Sequence, residues 1–308
     1  MEEVNGKKNK ATESAKCRIV ALTTCYNRRI STLASLEDLH AQDLPDDVSL
    51  AITIVDDGST DGTAEVVRQK FPDVEILSGN GSLYWAGGMR YGWEESVKDK
   101  SFDFLLVYND DVRLKVDAVW DLISVSRSVA KEYGPLHAVA GGFTDRSGQR
   151  ITYGGFRHSS QWHPLRFEHV LPTGTRQKID SLNMNFSLIT ADALNEIGFL
   201  ASYFQHNGAD IEFGNRLCKT GGSIWLAPSV VGWCERNMEI GTSLEKGIST
   251  SERWRRLVNI KEEPPLQRAR YFQAHGGWFW PILWASPYLR VWIDGILRAV
   301  ASSRNCQD

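Results

Sequence analysis

Tyr108-Asn109-Asp110-Asp111-Val112 places two adjacent carboxylates directly after the apolar run Phe102 to Val107, where a buried strand should end. A second pair, Asp56-Asp57, follows Ile54-Val55 in the same way and leads into Gly58-Ser59. Paired acids at such points suit a hard divalent cation, since Mg2+ and Mn2+ take carboxylates together with phosphate oxygens and keep some waters. On extended backbone, neighbouring side chains face opposite ways, so one of the first pair is expected at the metal, Asp111, with Asp110 facing a ribose or the protein. A carboxylate in a crevice between such strand ends can accept the N3–H of a uracil or thymine ring, which cytosine lacks. Each pair alone also reads as a helix cap or Asx turn. Both pairs on parallel strands of one sheet, with Gly79-Asn80-Gly81 after the strand between them, point instead to a single crevice.

Around these acids stand weaker candidates. Arg90 follows Gly87-Gly88 near an expected helix start, where backbone N–H groups and a cation can hold a diphosphate. Tyr84, Trp85 and Trp162 have the flat faces that stack on sugars, or else belong to the core. His206 lies near Asp210 and reads either as an acceptor or phosphate contact or as a structural histidine.

The elements that must position these residues follow a βαβα order. Strand-like runs at Arg18 to Thr24, Leu50 to Val55, Val74 to Leu77 and Phe104 to Val107 alternate with helix-like stretches at Ile30 to Ala41, Asp61 to Phe71 and Gly87 to Asp99. That order predicts a mostly parallel sheet with helices on both faces, which binds ligands at the carboxyl ends of its strands. A helix over Val116 to Ala130 and a strand over Ala138 to Gly142 continue it. Short alternating segments between Phe143 and Lys178 predict antiparallel additions, and Leu182 to Thr190 a further strand. Helices are expected at Ala191 to Ile197 and Ala209 to Lys219, and a strand at Ser223 to Ala227. The charged stretch Glu245 to Glu263 and Pro264-Pro265 then precede an aromatic, helical C-terminal region.

Composition narrows the classes. A 308-residue chain with 42% hydrophobic residues can bury a full core. A formal net charge of -3 gives no basic stripe for a nucleic-acid partner. The five cysteines form no CxxC pair, so no zinc motif or disulfide framework is expected, and a cytoplasmic setting is the default. Residues 1–16 lack the apolar core of a secretory signal and read as a disordered lead-in. The stretch Gly277 to Leu289 is apolar, but Pro281, Pro287 and Arg290 cut it short of the ~20 residues that a spanning helix needs. It reads as core cover or as a Trp-rich surface at a membrane interface.

Thr23-Thr24-Cys25-Tyr26-Asn27-Arg28, Val55-Asp56-Asp57-Gly58-Ser59, Gly79-Asn80-Gly81, Asn109-Asp110-Asp111 and Gly208-Ala209-Asp210, in that order, resemble a family 2 glycosyltransferase of the GT-A fold, among its bacterial rhamnosyltransferase-like members. The likeness spans residues 17–240, with a donor half over 17–115, an acceptor half over 116–240, and 241–308 as a helical, Trp-rich extension. It implies a nucleotide-sugar donor, carrying dTDP or UDP, a Mn2+ or Mg2+ ion and inversion at the anomeric carbon. Thr24, Tyr26, Asn27, Arg28, Asp57, Asn80, Gly81, Arg90 and Asp110 are then the donor-binding set and Asp111 the metal ligand. Asn109 stands where the family's Asp-x-Asp element begins with an acid, and Ala209 where its acceptor-side pair begins with Glu. Asp210 is left as the candidate base. No His follows Pro228 as it does in many members; Cys234 occupies that stretch. Glu212, two residues from Asp210, is off its helix face but four from Arg216, so a structural pair is expected there.

The implied reaction is transfer of a sugar, rhamnose by the resemblance, to a hydroxyl of a glycan or lipid-linked saccharide in cell-surface polysaccharide synthesis. For a lipid-linked acceptor, the Trp278 to Trp292 segment would let the protein sit on the inner membrane face. Two other classes share a parallel sheet and paired acids. A sugar-nucleotide nucleotidyltransferase needs a Gly-rich phosphate loop after the first strand, and 23–28 has no glycine. A non-catalytic sugar-nucleotide or polysaccharide-binding subunit would neither transfer nor hydrolyse a donor. A dinucleotide oxidoreductase is disfavoured, because no GxGxxG follows an early strand.

Overall fold

The computed structural model describes residues 17–98, 101–160, 165–236 and 239–304. The lead-in expected at 1–16 and the candidate Trp162 lie outside them. Elements run β1 (Cys17–Cys25), α1 (Arg29–His40), β2 (Val48–Asp56), α2 (Thr63–Lys70), β3 (Glu75–Ser78), α3 (Tyr84–Ser96), β4 (Phe104–Tyr108), β5 (Arg113–Leu114), α4 (Ala118–Tyr133) and β6 (His137–Thr144). There follow β7 (Ile151–Tyr153), β8 (Gly155–His158), β9 (Phe167–Val170), β10 (Gln177–Ile179), β11 (Ser181–Leu182), β12 (Phe186–Thr190), α5 (Ala191–Ile197), α6 (Ala209–Lys219) and β13 (Ser223–Trp233). The C-terminal part is α7 (Thr250–Leu257), α8 (Pro265–His275), a 3-10 turn (Gly277–Phe279) and α9 (Trp280–Arg304).

The main sheet has the order β10-β13-β6-β12-β4-β1-β2-β3. Strands β4, β1, β2 and β3 are mutually parallel, as are β13 and β6, while β12 runs antiparallel between β4 and β6. The fold is thus α/β, as the resemblance to GT-A glycosyltransferases implies: a mostly parallel sheet flanked by helices, with antiparallel additions. Strand alternation builds one core on each face. Ile19, Ala21, Leu106 and Tyr108 face the side covered by α1 and α4, whereas Val20, Leu22, Leu105 and Val107 face the side covered by α3 and α6.

Helix α3 begins at Tyr84, three residues before the expected start, so Gly87 and Gly88 lie inside it. Their use is close approach: a Cβ on Gly88 would collide with Thr24 Oγ1, and one on Gly92 would come within 2.5 Å of Leu22 Cδ1. Sequence reading also merged β11 and β12 into one strand. The break at Asn183-Met184-Asn185 turns polar side chains toward the carboxyl ends of the sheet.

Candidate active site

Strands β1, β2 and β4 end side by side, with Cys25 paired to Asp56 and Leu22 to Val107. The turns after them open into a cleft of about 610 Å3 lined by Arg28, Asp57, Asp110, Asp111, Asn183, His206 and Asp210. Thr24, Tyr26, Gly81, Tyr84, Trp85 and Asn109 also line it.

Arg28 is aimed by the residue before it. Asn27 adopts a left-handed backbone (φ 52°), which Asn and Asp tolerate better than most residues. Its Oδ1 accepts from Thr60 N at 2.7 Å and its own N–H donates to Ser59 Oγ at 2.9 Å. Asn27 therefore holds the β1 turn rather than facing the cleft. Arg28 Nη1 then donates to Asp110 Oδ1 at 3.1 Å and Asp111 Oδ2 at 2.8 Å.

That geometry corrects the expectation that Asp110 and Asp111 face opposite ways. Strand β4 ends at Tyr108, so strand alternation no longer governs the turn, and both carboxylates converge on one guanidinium. Asp110 is 5% exposed, and burial pushes its carboxyl up to about 6 against the opposing pull of Arg28. Asn109, where the resemblance expects an acid, uses its Oδ1 to accept from Trp85 Nε1 at 3.0 Å.

Asp57 organises the next loop. Its Oδ1 accepts from Gly81 N at 2.8 Å, and its Oδ2 from Leu83 N at 2.9 Å and Tyr84 N at 3.1 Å. Those bonds offset the strain of Tyr84, whose φ is 56° at the head of α3. Gly79 is needed beneath them, since a Cβ there would stand 2.5 Å from Asp57 Oδ1. Asn80 turns its Oδ1 to Ser82 N at 2.9 Å and is not among the cleft-lining residues.

Arg90 is a correction. Because Gly87 and Gly88 are interior to α3, Arg90 projects away from the cleft and donates to the carbonyls of Ala201 at 3.0 Å and Phe204 at 2.6 Å. It fastens the loop that carries His206 instead of meeting a diphosphate.

Further along the chain, Gly208 (φ 86°) turns it into α6 and sets Asp210 in its first turn. Asn183 Nδ2 reaches Asp210 Oδ2 at 3.4 Å, and burial raises the carboxyl above its usual range. Glu212 is buried and bonded through both oxygens to Arg216, at 3.1 and 3.0 Å, as the four-residue spacing predicts. His275 adds a further contact to Glu212 at 3.5 Å. His206 Nδ1 lies 3.5 Å from Trp85 N, and burial, with Lys261 and Arg28 nearby, lowers the imidazole's pKa. Cys234, 1% exposed, sits with its Sγ 3.7 Å from Asp111 Oδ1, a soft thiol beside a hard carboxylate.

Tyr153, Asn183, Asn185 and Lys261 line the cleft without having been singled out in the sequence. The 183–185 break was visible as two amides in an apolar run. Lys261 carried no signal, because it arrives from the segment between α7 and α8.

Residues 21–171 match the family model described as glycosyl transferase family 2. No curated protein sequence matches the chain. Among solved structures it is similar to GalNAc-T7, solved with UDP, GalNAc and Mn2+, at TM-score 0.57 and 14% identity over 86% of this chain. The match spans 55% of that protein's length. It is also similar to the mannosyltransferase PcManGT of Pyrobaculum calidifontis, solved with GDP-Man and Mn2+, at TM-score 0.55 and 18% identity over 92% of this chain and 75% of that one. At these identities the likeness is one of fold.

Proposed function

We propose, starting from the family 2 glycosyltransferase match over residues 21–171, that this chain is a metal-dependent, inverting glycosyltransferase. Its donor is a nucleoside-diphosphate sugar carrying dTDP or UDP, rhamnose being the expected sugar. Its acceptor is a hydroxyl of a glycan or lipid-linked saccharide. The observation that carries this reading is the cleft itself, whose lining brings Asp110, Asp111 and Arg28 together with Asp210.

The residues fit a divalent cation. Asp110 and Asp111 converge on one point, now faced by a guanidinium, so positive charge is wanted there. Among the described residues no group of three or more His, Cys, Asp or Glu side chains could hold a metal without help. Two carboxylates completed by substrate phosphate oxygens is how Mg2+ and Mn2+ are commonly held. Asp111, with Asp110 behind it, would hold the ion, which supplies charge neutralisation to a departing diphosphate.

The chain's own groups do the rest. Arg28 exchanges carboxylate oxygens for phosphate oxygens when the donor enters, since a guanidinium binds either. Three amides occupy most of the acceptor capacity of Asp57, and the lone pair left on Oδ1 serves a uracil or thymine N3–H. Asp210 takes the proton of the acceptor hydroxyl as its oxygen attacks the anomeric carbon. One displacement gives inversion. Positioned general-base help is worth about 10²–10⁴-fold.

The test is a thermal-shift screen of nucleoside diphosphates and their sugars with and without Mn2+, followed by product analysis with the donors that bind. Specific binding raises the melting temperature by an amount that grows with the logarithm of ligand concentration over Kd. A flat response to every nucleoside diphosphate, with Mn2+ present, would remove this reading.

A further inference from the structure

Helix Trp280–Arg304 has two apolar faces, and among the described residues only one is packed against the rest of the protein. Trp284, Tyr288 and Val291 pack against Leu257 and Val258, with Tyr288 OH donating to Glu263 O at 2.7 Å. Gly295 gives Thr250 room on this same inner face, where a Cβ would come within 2.7 Å of Thr250 Cγ2. On the outer face Ile282, Leu289, Trp292, Ile293, Ile296 and Leu297 are 44–67% exposed. At the α-helical angular step these six fall within about 140° of the circumference, a stripe with no charged residue inside it. Trp278 and Phe279, just before the helix, are 99% and 63% exposed. Soluble monomers rarely leave contiguous apolar patches beyond a few hundred Å2 uncovered.

Charge says what covers it. Residues 241–308 contain 10 Lys+Arg against 6 Asp+Glu, a net +4, in a chain whose formal net charge is -3, leaving -7 on residues 1–240. Arg290 is exposed beside the stripe. Among the described residues no helix is long and apolar enough to cross a membrane, and the inner face is already packed on protein. A helix with those properties lies in the plane of an interface, Trp and Phe in the headgroup layer and basic side chains toward anionic headgroups. A second copy fits worse, because a two-fold contact through this stripe would bring two net-positive segments together.

We propose that the outer face of Trp278–Leu297 is a docking surface for a bilayer containing anionic lipid. The inference stands independently of the transfer reading. It has a consequence for the cleft all the same. Arg268, on the helix Pro265–His275, donates to the carbonyls of Leu283 at 3.1 Å and Trp284 at 3.2 Å. On the same helix, Gln267 Nε2 donates to Asn207 O at 3.1 Å, and Gln205 N donates to Gln267 Oε1 at 3.3 Å. The docked helix is thereby tied to the loop that leads into Asp210, and so sets the acceptor wall relative to the bilayer.

Flotation of the full chain with vesicles tests this. With equal parts phosphatidylcholine and phosphatidylglycerol the chain floats; with phosphatidylcholine alone, or at high salt, it floats less. The double substitution Trp292→Glu, Ile293→Glu lowers the vesicle-bound fraction at least about tenfold without lowering the melting temperature, both side chains being solvent-facing. Trp278→Glu, at the most exposed position, gives the same direction should the double variant fold poorly. Failure to float with anionic vesicles, or equal flotation of parent and folded variants, overturns the proposal. So does light scattering that shows a dimer which these substitutions dissociate, since the stripe would then belong to a second copy.

Discussion

Arg28 donates to Asp111 at 2.8 Å, and from the same nitrogen to Asp110 at 3.1 Å, so the chain supplies its own counter-cation at the paired acids. Backbone geometry enforces this, through the left-handed Asn27 and its bonds to Ser59 and Thr60. One guanidinium thereby offsets part of the charge of two carboxylates. On the proposed reading, a metal-bound diphosphate would take over the place of the guanidinium at these acids.

Arg28→Ala therefore leaves two neighbouring carboxylates unbalanced. Because the Arg28 side chain is 47% exposed, screening limits the loss of stability in the ligand-free chain to about 1 kcal/mol. The informative part is the response to metal: Mn2+ alone should raise the melting temperature of the variant more than that of the parent, since it replaces the missing charge. Equal shifts in thermal melts of the two proteins would mean that the ion does not bind at Asp110 and Asp111.

Asp110 adds a pH dependence of known sign. Its folded carboxyl is pushed up to about 6 from an ordinary 3.8, so the native state binds this proton more tightly than the unfolded chain. The stabilisation is complete below the unfolded value and is lost as pH rises through about 6. Its size is at most about 3 kcal/mol. Urea unfolding of the ligand-free protein at several pH values should show this decline, and Asp110→Asn should flatten it. Saturating Mn2+ should flatten it too, by compensating the ionised form.

The strands, both acidic pairs and the GT-A arrangement were legible because apolar runs with acids at their ends have few other uses. Arg90 was misread for a local reason: Gly87-Gly88 looks like the approach to a helix, but Asp57 captures the amides of Leu83 and Tyr84 and starts α3 earlier. The convergence of Asp110 and Asp111 was hidden because alternation was extended one turn beyond the strand. Lys261 and Tyr153 reach the cleft by tertiary approach, from segments far away in sequence, and no periodicity announces that. The pairing of Glu212 with Arg216 was legible, being a matter of spacing alone.

Asp57→Ala should act on the loop before it acts on the base. It deprives Gly81, Leu83 and Tyr84 of their acceptor and leaves the left-handed Tyr84 uncompensated. Unsatisfied buried amides cost about 1–3 kcal/mol each where water cannot replace the partner. The expected result is a stability loss of about 2–4 kcal/mol, with a weakened thermal shift by the cognate nucleoside diphosphate. Asp57→Asn keeps one carbonyl acceptor and should recover part of the stability. If Asp57→Ala unfolds at the same urea concentration as the parent, Asp57 does not hold the loop.

Asp210 is the acid whose surroundings suit proton transfer. Burial raises its carboxyl above the usual range, Asn183 orients it from 3.4 Å, and the neighbouring Glu212 is committed to Arg216. A base works in its deprotonated form, so kcat/KM should climb with pH through this raised value and level off above it. Asp210→Asn should remove that limb and cut turnover about 10²–10⁴-fold while donor affinity stays the same. Glu212→Gln makes the contrast: it should lower the melting temperature by loosening the buried ion pair, yet keep the pH limb. A pH profile that survives Asp210→Asn but disappears with Glu212→Gln would transfer the base to Glu212, and with it the reading of the acceptor wall.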